Sequence, residues 1–181
     1  MLREEEQELL FGLVMGFDPV HIVEVGSYHG VSAITMAFAL QHCDRHILTA
    51  FGRILSFDVD ETRVATARKN AETFGVADMI RFEHRSSQML TETDMPTDIG
   101  LFFVDGDHHR DAARADIKFA TSVCRRVLVH DAVHDPEVHE VCEEFGQRPD
   151  LTLTYLRREN AGFALLTSRG PLARYQRKGN T

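Results

Sequence analysis

Apolar residues recur along the chain in two spacings that predict alternating helices and strands. Behind an acidic start, leucines and valines between Leu9 and Val14 follow a helical period, which predicts an amphipathic helix over residues 3–16 that ends before Pro19. The same period predicts further helices over Val31–Gln41, Thr62–Phe74 and His109–Ser122. Short β-rich runs predict strands over His21–Val25, Arg53–Asp58, Ile80–His84, Ile99–Val104 and Arg125–His130.

The strand segments indicate how these elements are layered. Leu101–Val104 and Val127–Val129 are continuously apolar, as expected when helices cover both faces of a parallel sheet. This predicts a doubly wound, Rossmann-like α/β fold. Leu151–Arg157 and Gly162–Thr167 are separated by only a short link, so they predict an antiparallel hairpin at the sheet edge.

Length and composition predict one domain over residues 1–181. The chain has 181 residues and is 43% hydrophobic, which is enough for one substantial core. Residues 1–18 are the N-terminal helical segment, and residues 171–181 are predicted to be a flexible tail. We expect no additional module.

The charge balance disfavours nucleic acid as a partner. The formal net charge is −8, with 28 acidic and 20 basic residues. The basic residues near the C-terminus predict a solvated face or frayed tail: Arg157, Arg158, Arg169, Arg174, Arg177 and Lys178.

Cysteine usage and the N-terminus predict a cytoplasmic protein. The three cysteines, Cys43, Cys124 and Cys142, form no CxxC pair, which favours a reducing compartment. The acidic start lacks the basic segment of a secretory signal, and no stretch approaches the ~20 apolar residues of a membrane span. We therefore expect no membrane partner.

A glycine-rich turn follows the first predicted strand, in the segment Glu24-Val25-Gly26-Ser27-Tyr28-His29-Gly30. Gly26 and Gly30 allow the backbone to approach a ligand and direct free N–H groups at it. The spacing Glu-x-Gly-x-x-x-Gly differs from the dinucleotide pattern Gly-x-Gly-x-x-Gly, and no Walker Lys-Ser/Thr pair is present. A phosphate cradle is thus disfavoured. Asp58 ends the second strand, where its carboxylate can accept hydrogen bonds from both hydroxyls of a ribose.

Residues 20–135 resemble the class I S-adenosylmethionine-dependent methyltransferases, whose sheet has seven strands and an antiparallel end hairpin. The resemblance implies S-adenosylmethionine as the cofactor, with Glu24, Gly26, Ser27 and Gly30 on its methionine and ribose side. It implies that Asp58 holds the ribose diol. Ser86 and Ser87, after the third strand, become candidates for contact with the adenine.

Polar residues follow the fourth and fifth strands, where ligands of an open α/β sheet bind. Because adjacent strands lie about 4.8 Å apart, Asp105 and Asp131 can place carboxylates on one hard cation such as Mg²⁺. Such an ion would bind two neighbouring substrate oxygens and lower a hydroxyl's pKa. His130 is a third candidate ligand, Asp105 is also a candidate cofactor contact, and His108 is the candidate general base.

The arrangement Asp-x-x-His, followed by an acidic pair after the next strand, resembles the sugar O-methyltransferases of macrolide biosynthesis, the macrocin O-methyltransferase type, and the related cephalosporin hydroxylase-like proteins. This chain departs from their pattern in having His130-Asp131 where they have an acid-acid or acid-amide pair. It is more distantly similar to catechol O-methyltransferase. The resemblance implies O-methyl transfer to a small molecule, assisted by a divalent metal.

Other assignments of these residues stay open. Asp107 or His108 could cap the helix near His109, with Asp105 only ordering the loop. A zinc site would instead use His130, His134 and His139. The ligand-like residues His42, Cys43, Asp44 and His46 lie together in one long stretch and are predicted to be exposed loop residues.

Several functions also stay open. The alternatives to metal-assisted transfer are a metal-independent methyltransferase, a cofactor-binding or hydroxylase-like protein without methyl transfer, and a dinucleotide oxidoreductase. The sequence after the fifth strand offers few residues for a lid. The acceptor site is therefore expected to be open, completed by a second subunit in a homo-oligomer, or suited to a bulky acceptor.

Overall fold

The computed structural model describes residues 2–43, 53–157 and 162–170. The helices are α1 (Glu4–Phe17), α2 (Val31–Gln41), α3 (Glu61–Thr73), α4 (Arg110–Val123) and α5 (Pro136–Gly146). The strands are β1 (His21–Val25), β2 (Ile54–Asp58), β3 (Ile80–His84), β4 (Ile99–Val104), β5 (Arg126–His130), β6 (Leu151–Arg157) and β7 (Phe163–Ser168). The predicted elements are confirmed to within one or two residues at each end.

The sheet has seven strands in the order β3-β2-β1-β4-β5-β7-β6. The first five are parallel, whereas β7 runs antiparallel between β5 and β6. The doubly wound fold and the antiparallel terminal hairpin are therefore confirmed. Strand order reverses between β1 and β4, and the carboxyl ends of these two strands open a crevice.

Two hydrophobic layers explain why the strands are apolar on both faces. Val23, Val25 and Phe102 pack with α4 and α5 on one face of the sheet. Ile22 and Phe103 pack with α1, α2 and α3 on the other. Because side chains alternate along a strand, the central strands β1, β4 and β5 supply apolar residues to both layers.

Helix α5 is the one regular element that the sequence prediction omitted. Asp135 caps it, accepting hydrogen bonds from the backbone N–H groups of Glu137 (3.0 Å) and Val138 (3.1 Å). Pro136 occupies its first turn, where no intrahelical partner is needed for the missing N–H. The buried side chains of Val138, Val141, Cys142 and Phe145 recur at helical spacing. The Asp-Pro start and this spacing are the sequence signals that were available.

All three cysteines lie in the described part of the chain, where they are buried and form no disulfide. Cys43 was predicted to be exposed; this was wrong, because its thiol packs beneath α1 and α2 and donates to the carbonyl of Ala39 (3.5 Å). Asp44, His46 and the predicted tail 171–181 lie outside the described residues. Across the described helices, none has the length and apolar character needed to cross a membrane.

Candidate active site

A cleft of about 620 Å³ opens at the carboxyl ends of the parallel strands. It brings together eight of the residues predicted from the sequence: Gly26, Ser27, Asp58, Ser86, Ser87, Asp105, His108 and Asp131. It also includes residues that were not predicted, among them Leu2, Arg63, Gln88 and Asp116. The residues that the carboxyl-end rule selected therefore line one cleft.

Gly26 allows the loop after β1 to pass directly over the end of β4. Its φ is +95°, and a Cβ placed there would lie 1.9 Å from the carbonyl oxygen of Asp105. Its N–H donates to the Phe57 carbonyl at 2.8 Å. No residue with a side chain fits this crossing without moving β4 or the loop.

Glu24 does not line the cleft as expected, because its side chain turns under the loop and is fully buried. Its carboxylate accepts hydrogen bonds from the hydroxyls of Ser32 and, at 2.5 Å, of Ser56. The Ser56 hydroxyl in turn lies 2.5 Å from that of Ser27, which faces the cleft. Burial raises the pKa of Glu24 to about 7. Glu24 thus supports the loop through Ser56 and Ser27.

Gly30 is also behind the wall of the cleft, not on its surface. It precedes α2 with φ +84°, and a Cβ there would approach Ala67 of α3 at 3.1 Å. The missing side chain lets the start of α2 sit against α3. Gly30 therefore shapes the loop from behind.

Asp58 joins two loops at the mouth of the cleft. Its carboxylate accepts hydrogen bonds from the backbone N–H of Tyr28 (2.8 Å) and of Asp60 (3.0 Å), one on each oxygen. Each carboxylate oxygen keeps a lone pair for a further donor. A sugar diol can bind at these two oxygens.

Ser86 and Ser87 line the far end of the cleft, as predicted. The Ser86 hydroxyl accepts a hydrogen bond from the Gln88 N–H at 3.3 Å, so it also shapes the turn after β3. Asp116 of α4 was not predicted. Its side chain is 5% exposed, and this burial raises the pKa of its carboxyl to about 6, although a hydrogen bond from Ser87 acts to lower that pKa. Asp116 lies in a helix far along the chain from the turn after β3, and the sequence around it does not indicate that its side chain lines the cleft.

Asp105, His108 and Asp131 form the reacting end of the cleft. Each offers one ligand atom, and these atoms lie within 4.8 Å of one another. Asp131 has φ +55°, a left-handed conformation that is uncommon outside glycine. This backbone turn directs its carboxylate back over the end of β5.

His130, the third predicted metal ligand, is not among the three residues of this cluster but contacts two of them. Its ring is buried beside Phe103 and Phe163, and its Nδ1 lies 3.0 Å from Asp105 Oδ1 and 3.0 Å from Asp131 Oδ2. Burial by itself would lower the pKa of His130, but the bonds to the two aspartates raise it to about 10. The same contact lowers the pKa of Asp131 despite its burial. His130 therefore acts as a buried cation behind the two carboxylates.

His108 lies at the mouth of the site with its ring between two carboxylates. Its Nε2 is 3.2 Å from Asp131 Oδ2, and its Nδ1 is 3.7 Å from Asp135 Oδ2. Asp107, rather than His108, supports the start of α4, because its carboxylate accepts a hydrogen bond from the His109 N–H at 3.0 Å. Asp107 therefore orders the turn ahead of α4 without capping the helix, since the N-cap residue is His109 and no side-chain hydrogen bond caps this end.

The zinc alternative finds no support in the described chain. Within residues 2–43, 53–157 and 162–170, Asp105, His108 and Asp131 make up the one group with metal-ligand spacing. His139 instead lies 2.9 Å from the Ala132 carbonyl and 3.2 Å from the Tyr155 hydroxyl.

Residues 23–141 match the model of a family described as a methyltransferase domain. Two solved structures share the fold with TM-scores of 0.77 and 0.74: an O-methyltransferase from Bacillus cereus in complex with SAH, and the O-methyltransferase TomG from Streptomyces achromogenes in complex with SAM. The first is 18% identical and covers 93% of this chain and 83% of that chain. The second is 23% identical and covers 94% and 82%. No curated protein matches the chain in sequence.

Proposed function

The chain belongs to the methyltransferase domain family, and from this premise we propose that it transfers the methyl group of S-adenosylmethionine to a hydroxyl oxygen of a small molecule. One observation carries the proposal. The Gly26–Ser27 loop and Asp58 lie in the same cleft as Asp105, His108 and Asp131. A cofactor held by the first set would present its reactive end to the second.

The charge of the cleft favours this cofactor over a dinucleotide. Its described lining includes five carboxylates: Asp58, Asp105, Asp107, Asp116 and Asp131. S-adenosylmethionine carries a positive sulfonium and an amino group, which such a lining attracts. A dinucleotide carries two negative phosphates, and the loop after β1 lacks the glycine spacing that cradles them.

Methyl transfer is a direct displacement, so positioning supplies much of the rate. The acceptor oxygen attacks the methyl carbon, the carbon–sulfur bond breaks, and the acceptor's proton must leave. His108 is the residue best placed to take that proton, because it is half-exposed at the mouth of the cleft. Its Nε2 lies 3.2 Å from Asp131 Oδ2 and its Nδ1 lies 3.7 Å from Asp135 Oδ2, so two carboxylates orient the ring.

Asp105, His108 and Asp131 also fit a hard divalent cation, since two carboxylates and an imidazole converge within 4.8 Å. A cation there would lower the pKa of an acceptor hydroxyl and orient it. Further support comes from Asp107, His108 and Asp131 in the lining, which offer polar partners to an oxygen-rich acceptor. The cytoplasmic location and a homo-oligomeric state stay predictions.

Calorimetry with purified protein tests the cofactor. We expect S-adenosylmethionine to bind with a dissociation constant of roughly micromolar order and NAD to give no heat of binding. Asp58→Ala should weaken cofactor binding about ten- to a hundredfold, because hydrogen bonds to a charged group are lost. Asp60→Ala is the matched control: Asp60 caps α3 two residues further along and should leave binding unchanged.

The opposite result, NAD binding without S-adenosylmethionine binding, would overturn the proposal in favour of an oxidoreductase. Tight S-adenosylmethionine binding without turnover on any of a broad panel of hydroxyl acceptors would favour a cofactor-binding protein that does no methyl transfer.

Metal assistance predicts a separate result. Asp131→Asn keeps a residue that tolerates the left-handed backbone and removes one ligand charge. We expect this variant to lose Mn²⁺ binding, measured by electron paramagnetic resonance, and to lose turnover while it still binds S-adenosylmethionine. Asp107→Asn, a cleft carboxylate outside the cluster, should change neither. Turnover that is insensitive to a chelator would instead assign catalysis to His108 without a metal.

A further inference from the structure

Glu6 of α1 is a buried carboxylate close to the reacting end. It is 1% exposed, although a helix in this position needs only apolar residues to pack on the sheet. Its Oε2 accepts a hydrogen bond from the Arg3 N–H at 2.9 Å, which closes the first turn of α1. Its Oε1 points inward and has no hydrogen-bond partner among the described residues.

The group that Oε1 faces is His130. The distance from Glu6 Oε1 to His130 Nε2 is 3.4 Å, within the range of an ion pair, and this Nε2 likewise has no hydrogen-bond partner in the described chain. On its opposite side, the same ring meets Asp105 and Asp131 through Nδ1. The imidazole is therefore held at both ends by carboxylates.

We propose that Glu6 is a positioning residue that acts on Asp105 and Asp131 through His130. The proposal rests on the proposed function, since it gives α1 a role in the methyl-transfer site. Glu6 sets the plane of the His130 ring from one side, and the ring presents Nδ1 to both aspartates on the other. The N-terminal helix thereby orients the carboxylates that face the acceptor.

A purely structural role explains this arrangement less well. Burying an ionised pair costs several kcal/mol of desolvation per ion, and apolar residues of similar volume are often at least as stabilising. Leu10 and Val14, both fully buried, already dock α1 on the sheet. The contact between Glu6 and His130 also joins two elements that are far apart in the chain. Through His130 it leads to the two cleft aspartates, whose carboxylates must be oriented for the reaction.

The test uses the ligand-free protein, so it does not depend on methyl transfer. We compare wild type with Glu6→Gln, which keeps the shape and removes the charge, and with Val14→Ala, which weakens the docking of α1 without touching the contact. Nuclear magnetic resonance follows the side-chain carboxyl carbons of Asp105 and Asp131 and the ring proton on His130 Nε2. Calorimetry measures the affinity for S-adenosylhomocysteine, which reports on the part of the cleft that would hold the cofactor.

We expect Glu6→Gln to shift both carboxyl resonances and to speed the exchange of the His130 ring proton, with S-adenosylhomocysteine affinity unchanged. Val14→Ala should lower the melting temperature and leave those resonances in place. The proposal is overturned if Glu6→Gln leaves the resonances unmoved, or if Val14→Ala moves them equally. A failure of S-adenosylhomocysteine to bind the wild type would count against the proposed function alone.

Discussion

Replacing Gly26 by alanine is expected to abolish binding of S-adenosylmethionine. The added Cβ would lie 1.9 Å from the carbonyl oxygen of Asp105, at a φ of +95° that alanine rarely adopts. Either the loop or the end of β4 must move, and the surface that the cofactor would contact moves with it. Calorimetry with S-adenosylmethionine, after circular dichroism has verified folding, measures the loss.

Gly75→Ala is the matched control for backbone strain. Gly75 has φ +70°, but nothing lies within 4 Å of the Cβ position. This variant should lose about 1 kcal/mol of folding free energy and bind the cofactor as the wild type does. If both variants bind equally well, the close crossing of Gly26 over Asp105 has no part in holding the cofactor.

Replacing His108 by glutamine is expected to lower the rate of methyl transfer roughly 10²- to 10⁴-fold, the usual contribution of a positioned general base. Cofactor affinity should stay within a few-fold of the wild type, because the loop after β1 and Asp58 are untouched. Single-turnover kinetics with a fixed acceptor separates the chemical step from binding.

His109→Gln is the neighbouring control. His109 is exposed and begins α4 without a side-chain hydrogen bond to the helix. Its replacement should leave the rate unchanged. Equal rates for His108→Gln and the wild type would remove His108 from the mechanism, whereas loss of Mn²⁺ binding along with the rate would make it a ligand.

The sequence predicted those parts of the site that depend on local pattern. Four of the predicted residues lie at or shortly after the end of a strand: Gly26, Asp58, Asp105 and His108. The carboxyl ends of parallel strands meet at one edge of the sheet. Their convergence in a cleft could therefore be inferred without knowing any side-chain contact. His130 ends β5 and obeys the same rule, yet its side chain lies behind the cleft and contacts Asp105 and Asp131 from there.

What separates His130 from Asp131 is the alternation of side chains across the sheet. His130 has the same parity as Leu128, so it points into the layer covered by α1. That much could be worked out from the strand. The presence of Glu6 opposite the ring could not, because 124 positions separate the two residues and no periodicity links them.

Burial also explains the change in the role of Glu24. The family resemblance implies a ligand contact for Glu24, but its neighbours Val23 and Val25 take the opposite face of the strand. Glu24 must then point under the loop, where Ser32 and Ser56 satisfy it. Asp116 reaches the cleft from a helix, and sequence spacing alone does not reveal which helical residue faces a ligand.

The position of Leu2 has a practical consequence for handling the protein. Leu2 is 5% exposed and forms part of the cleft wall, next to the helix that carries Glu6. An affinity tag joined immediately ahead of it would emerge beside this cleft. Kinetic comparisons of recombinant protein should therefore use material from which an N-terminal tag has been cleaved.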